Sequence, residues 1–291
     1  MQPFDYSEPA TLDEAIALLE RLGDRASVLA GGTDLIVQMK ERVRRPAHVV
    51  DIKRILGLDS LSFDPATGLT LGALVTTRAV ETSEIARRHY ASLARAATDF
   101  ASIQVRHRAT IVGNVCRASP SADTLPPLIA DRARLTIVGP AGRREVEVED
   151  FCTGPGRTTL ARGEIVTHVR IPAPPPSTGK VYLKHGRRAQ MELATVGVAV
   201  TLTAERGVCR ALRIVLAAVA PTPLRARAAE AALIGRPIDA ASIAAAAEAA
   251  MREARPIGDV RASAEYRREM VRVLTRRAIE QAAQAAQGSS T

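Results

Sequence analysis

With 291 residues, 46% of them hydrophobic and 24% charged, the chain is long enough for two or three compact units and has an ordinary globular composition. Three scattered cysteines and five histidines argue against a disulfide framework, a Cys-x-x-Cys iron–sulfur site and an all-protein metal site, and no apolar run approaches the roughly 18 residues of a membrane span. The net charge of +9 raises nucleic-acid binding, but aromatic residues make up only 3% and the arginines form no aromatic-interleaved patch, so no nucleic-acid partner is expected.

The N-terminus, Met1-Gln2-Pro3-Phe4-Asp5-Tyr6, has no basic region followed by an apolar stretch, which predicts a cytoplasmic protein. Residues 11–23 read as a helix: Thr11 and Glu14 form a capping box, Ala15, Leu18, Leu19 and Leu22 recur at helical spacing, and Gly23 ends it. The run Val28-Leu29 then breaks into Ala30-Gly31-Gly32-Thr33-Asp34-Leu35, the end of a strand feeding a tight loop. Adjacent glycines permit positive φ and close approach of a ligand to the backbone, and successive amides in such a turn make an anion-binding concavity. By itself this is also ordinary turn chemistry. A second helix from Leu35 to Lys40, closed by Arg42, Arg44, Arg45 and Pro46, and a strand from His48 to Ile52 complete a small α/β unit over residues 1–55.

A second unit is expected over residues 56–172. It holds a strand at residues 69–73, one helical pattern running through Val80 and Ile85, a helix from Ser92 to Phe100, strands at residues 135–139 and 146–149 around a Pro140-Ala141-Gly142 turn, and a strand from Ile165 to Ile171. Between them Thr110-Ile111-Val112-Gly113-Asn114-Val115-Cys116-Arg117-Ala118-Ser119-Pro120-Ser121-Ala122-Asp123-Thr124 reads as a non-periodic loop rich in hydrogen-bonding groups. The prolines Pro174, Pro175 and Pro176 forbid helix and interior strand and set a boundary before a third unit at residues 179–287. That unit is expected to pair strands at residues 196–202 and 212–216 and to add helices at residues 240–255 and 263–284, the latter lined by Tyr266, Met270, Val273, Leu274 and Ala278. The last four residues, from Gly288, should fray.

Together the Ala-Gly-Gly-Thr-Asp loop and the Gly-Asn-Val-Cys-Arg-Ala-Ser-Pro-Ser-Ala-Asp loop resemble those of the FAD-binding medium subunit of the molybdenum hydroxylases, of the xanthine dehydrogenase and carbon monoxide dehydrogenase type. The resemblance runs from the Pro9–Ala15 helix start to Glu265-Tyr266-Arg267-Arg268. It implies an α+β fold: two α/β subdomains of the vanillyl-alcohol-oxidase-type FAD-binding fold and a C-terminal domain of antiparallel sheet and helices. The absence of a Gly-x-Gly-x-x-Gly fingerprint agrees, since these proteins hold the pyrophosphate with loops.

Carried over by position, the resemblance assigns Ala30, Gly31, Gly32, Thr33, Asp34 and Leu35 to the first FAD loop, and Ala109, Thr110, Gly113, Asn114, Cys116, Arg117 and Asp123 to the second. Asp123 is expected to accept from a ribose hydroxyl. Phe100 falls where an aromatic ring lies beside the adenine, and Val166 and Lys184 fall near the isoalloxazine ring. Ala122 and Arg117 depart from the family, which usually carries a hydroxyl residue at the first position and often at the second; Arg117 can pair with phosphate instead. The four-cysteine insertion of one subgroup, which carries an extra iron–sulfur cluster, has no counterpart here.

The implied function is electron transfer. The chain takes electrons from the [2Fe–2S] clusters of a small iron–sulfur subunit and passes them to an acceptor such as NAD or a quinone. A large partner subunit oxidises the substrate at a molybdenum cofactor, and the assembly is expected to be a dimer of heterotrimers. No residue of this chain is assigned a catalytic acid or base. The alternative, a self-contained flavin-dependent oxidoreductase, requires such a group beside the flavin, and His185 is the nearest candidate by sequence.

Overall fold

A computed structural model describes residues 1–288, so of the C-terminal segment expected to fray, residues 289–291 lie outside the described residues and Gly288 closes the last helix. The first sheet is parallel. Strands β1 (Asp5–Ser7), β2 (Ala26–Leu29) and β3 (His48–Asp51) lie in the order β1-β3-β2, connected through helices α1 (Leu12–Leu22) and α2 (Leu35–Lys40). Helix α1 starts where the capping residues place it: Thr11 Oγ1 accepts from the Glu14 amide at 3.2 Å, and the Glu14 carboxylate accepts from the Ala10 amide at 2.8 Å.

The second sheet is antiparallel throughout. Strands β4 (Leu61–Asp64) and β5 (Gly68–Gly72) form a hairpin, as do β6 (Arg134–Gly139) and β7 (Gly142–Glu147). After the short pair β8 (Cys152–Gly154) and β9 (Arg157–Thr158), strand β10 (Ile165–Ile171) inserts between the hairpins to give the order β4-β5-β10-β6-β7. Between β5 and β6 run six short helices: α3 (Thr77–Thr82), α4 (Glu84–His89), α5 (Ala91–Asp99), α6 (Ile103–Arg106), α7 (Ile111–Arg117) and α8 (Leu125–Ala130), while α9 (Val148–Phe151) follows β7.

Three local expectations change here. The single helical pattern through Val80 and Ile85 is two helices, because Ser83 ends α3 and its hydroxyl accepts from the Ala86 amide to start α4. The strand expected at residues 146–149 is the end of β7 and the start of α9. The loop at residues 110–124 contains a helix, α7, opened by the Thr110 side chain accepting from the Gly113 amide and closed at Ala118 in the left-handed conformation (φ 48°).

The third sheet, β11 (Thr178–His185), β12 (Val196–Glu205), β13 (Val208–Ala217) and β14 (Leu224–Arg225), is an antiparallel meander in which Val198 faces Leu216 and Leu202 faces Leu212, the expected pairing. One face carries α10 (Arg227–Leu233), α11 (Ala240–Glu253) and α12 (Ala264–Gly288) over a core of Val198, Leu202, Ile214, Leu216, Leu274 and Ile279. On α12 the buried face is Arg267, Val271, Leu274 and Ala278, so Tyr266, expected inward, stands out in solvent. The face is set by Arg267, whose Nη1 donates to the carbonyls of Thr195 (2.7 Å) and Ala218 (3.0 Å).

The other face of this third sheet docks on α5 and α8. Alternation along β11 sends Val181 and Leu183 into the helix-covered core and aims Lys180, Tyr182 and Lys184 at the second unit. There Lys180 Nζ lies 3.0 Å from Asp131 and 4.4 Å from the centre of the Tyr90 ring, and Thr201 donates to Asp131 at 2.7 Å. The largest core is continuous from Ala15, Ile16 and Val50 of the first unit through Leu71, Leu125 and Leu135 to Tyr182, Ala199 and Val215.

Candidate functional site

Between the first two units lies a cavity of about 560 Å³. Its floor is the contact between the two glycine-bearing segments. Gly31 meets the backbone of the second segment so closely that a Cβ would stand 1.9 Å from the Arg108 carbonyl oxygen, and Gly32 turns the chain at φ +77°. The second segment is strapped in place in turn: the Ala109 carbonyl accepts from the Thr77 amide at 2.8 Å, and the Ile111 amide donates to Val75 at 3.2 Å. Among the described residues, no backbone amide from 31 to 34 donates to a carbonyl of the chain. These amides belong to residues that line the cavity and are free of carbonyl partners, as an anion site would require.

All the predicted FAD contacts line this cavity except Asp123 and Lys184. Thr110 opens α7, and Asn114 Oδ1 accepts from Thr124 at 2.6 Å, tying α7 to the turn before α8. Arg117 reaches across the rim to Asp34, Nε to Oδ1 at 3.3 Å, so the residue that departs from the family joins the two segments. Burial pushes the Cys116 thiol up to about 12, with Cys152 nearby adding to the rise. Val166 sits just before an irregularity in the pairing of β10 with β6.

Asp123 is buried, Lys184 is largely covered, and the two engage each other: Lys184 Nζ donates to Asp123 Oδ2 at 2.9 Å and to the Asp99 carbonyl at 3.1 Å, while Tyr182 donates to Asp123 Oδ1 at 2.8 Å. Burial pushes the Asp123 carboxyl up, against the opposing pull of the Lys184 ammonium, and lifts the Tyr182 phenol well above its ordinary value. Both Asp123 oxygens thus already accept strong bonds; its first role is to anchor Lys184.

Phe100 follows Asp99, the residue whose carbonyl holds Lys184. Phe100, which lines the cavity, therefore stands close to Lys184, which does not. Sequence reasoning missed the far end, where Asp24, Gln38, Arg44, Arg162 and Glu164 contribute. The signal there was a short Arg162-Gly163-Glu164 turn directly before the strand carrying Val166. His185, the acid or base of the alternative reading, lies outside the lining, with Nε2 3.1 Å from the Tyr266 hydroxyl.

Two backbone loops meeting at a cavity between a parallel and an antiparallel unit are the arrangement of a loop-held cofactor site, and the comparisons name the class as flavoprotein. The family described as "FAD binding domain in molybdopterin dehydrogenase" matches residues 2–174, and that described as "CO dehydrogenase flavoprotein C-terminal domain" matches residues 181–282. The carbon monoxide dehydrogenase medium chain of Hydrogenophaga pseudoflava is 35% identical over 279 residues, with 96% of each chain covered. The xanthine dehydrogenase FAD-binding subunit of Escherichia coli O157:H7 is 32% identical over 284 residues, with 97% of each covered.

Among solved structures, carbon monoxide dehydrogenase from Hydrogenophaga pseudoflava superposes with a TM-score of 0.93 at 37% identity, covering 97% of this chain and 98% of that one. Quinoline 2-oxidoreductase from Pseudomonas putida 86 gives 0.91 at 30% identity, covering 100% and 99%. The chain belongs to the family of FAD-binding subunits of molybdenum hydroxylases. Its cofactor is FAD, and it is an oxidoreductase component of a multi-subunit complex, which sets aside the self-contained alternative. Among the described residues no helix is long and apolar enough to cross a membrane.

Proposed function

We propose that this chain relays electrons from the [2Fe–2S] clusters of a small subunit to an external acceptor, in a cytoplasmic dimer of heterotrimers whose large subunit oxidises substrate at a molybdenum cofactor. The observation that carries the reading is the meeting of Gly31 with the Arg108–Ala109 backbone beside a row of amides without carbonyl partners, on a cavity of about 560 Å³. Bound FAD supplies the exchange between one-electron and two-electron carriers. The chain supplies its binding and its surroundings.

In this reading the amides of residues 31–34 and the Thr33 hydroxyl hold the pyrophosphate. Arg117 leaves Asp34 for a phosphate oxygen. Lys184, fixed by Asp123 and the Asp99 carbonyl, places a positive charge at the flavin end beside Phe100. No proton transfer to substrate is asked of any residue.

The test is purification of the tagged chain from its own cells, with flavin and metal analysis and a mass measurement of the eluted assembly. FAD, iron and molybdenum should co-elute in a soluble fraction at the mass of two heterotrimers. A chain that eluted alone and whose flavin was reduced directly by an organic substrate would sink the reading.

A further inference from the structure

The end of the cavity away from Lys184 is framed by Asp24, Gln38, Arg44 and Arg162, with Val28 and Leu29 of β2 beside them. Arg162 is the one that is held still. From the loop between β9 and β10, its Nε donates to the Glu20 carbonyl at 2.7 Å and its Nη2 to the Arg21 carbonyl at 3.3 Å. Those carbonyls belong to the last turn of α1, where no intrahelical donor reaches them and a cation is favoured. One face of the guanidinium lies on Gly23, where a Cβ would come within 2.9 Å of both Cζ and Nε. Arg162 is nevertheless exposed and lines the cavity. With two in-plane donors engaged and one face covered, the opposite face and Nη1 are what it offers to a ligand.

We propose that this free face is the platform on which the adenine base of FAD stacks, making Arg162 the residue of this chain that selects a dinucleotide over FMN. The inference rests on the flavin reading above, with the flavin at the Lys184 end. A planar guanidinium stacks on aromatic faces, and one already fixed by two carbonyls loses little side-chain freedom when a base settles on it. Val28 and Leu29 supply apolar surface at the same end. Residues 31–34 line the same cavity, and in this reading their amides hold the pyrophosphate that joins the two halves. Phe100, at the Lys184 end, is thereby assigned to the flavin half.

The experiment is titration of the flavin-stripped full chain with FAD, FMN and ADP, for wild type, Arg162→Ala and Arg162→Lys. Loss of one base-stacking contact predicts a Kd for FAD about tenfold weaker in the alanine variant. ADP competition should weaken by a similar factor, while FMN affinity and the bound-flavin spectrum stay at wild-type values. Lysine keeps the charge and can still donate to the α1 carbonyls but has no planar face, so it should behave as alanine does. Because alanine also frees the end of α1, unchanged FMN binding doubles as the check that the rest of the cavity is intact.

Wild-type FAD affinity in Arg162→Ala would overturn the platform. Full rescue by lysine would show that charge, not stacking, is used. Equal losses for FAD and FMN would put the flavin at this end. A wild-type chain that took up no FAD would overturn the flavin reading itself, and the platform with it.

Discussion

At Gly31 the missing side chain is the functional group: the 1.9 Å that a Cβ would leave to the Arg108 carbonyl means that even alanine must push the two loops apart. Gly31→Ala is expected to abolish FAD retention, read as flavin absorbance per purified chain, with the far-ultraviolet circular dichroism unchanged. Gly32→Val should do the same through its φ of +77°, a conformation a β-branched residue resists. Arg117 should behave differently. Its pair with Asp34 is half exposed, so Arg117→Ala should change stability by less than about 1 kcal/mol, yet weaken FAD binding and reduce the salt dependence of that binding. Glu164 carries a pH signature. Its hydrogen bonds from Arg144, at 2.6 and 2.7 Å, hold its carboxyl below the ordinary glutamate value of 4.5 despite partial burial. The folded chain therefore gives up this proton before the unfolded chain does, and the resulting stability is complete above that ordinary value and lost as pH falls through the depressed one. The melting-temperature gap between wild type and Glu164→Gln should be full near neutral pH and shrink steadily below about pH 4.5.

At the scale of elements, β11 holds the third sheet on the flavin-binding part by alternation. Lys180 and Lys184 each meet a buried aspartate at opposite ends of α8, Asp131 and Asp123. Removing one partner leaves an unpaired buried charge, so Lys180→Met is expected to cost about 3–5 kcal/mol in urea denaturation, and Lys180→Met with Asp131→Leu should recover much of it. This strand also marks where the sequence stopped being legible. The partners of its lysines were not legible, because nothing local announces two aspartates roughly fifty and sixty residues upstream. The strands β12 and β13 were legible because long stretches of them are buried on both faces and apolar, as at residues 196–200 and 214–217. The second FAD segment was recognised by residue type and position while its helix was not, since α7 has only seven residues, one of them glycine, and is fixed by its cap and by the strap to residues 75–77. The first loop was legible as a turn; that its glycines serve a backbone contact as well as a ligand depends on Arg108, distant in sequence.

For the molecule as a whole, the continuity of the core decides how it melts. Ala15, Ile16, Leu19 and Ile52 share one cluster with Leu71 and Ile137, so the first parallel sheet has little apolar interior of its own. Residues 1–55 expressed alone should give no cooperative transition, whereas the full chain should show the first two units unfolding together in calorimetry. The C-terminal part has its own core under α10, α11 and α12, but Glu149 in the second unit receives Arg213 at 2.5 Å as well as Arg225 and Arg227, adding a third ionic tie across the seam. The alternation along β11 has a consequence for how such subunits exchange parts. A cut at the proline-rich stretch sends the two lysines with one fragment and their aspartates with the other. A chimera joined there keeps its fold only if the new partner brings carboxylates to both ends of its α8, so the covalent hinge and the energetic boundary of this protein are different places.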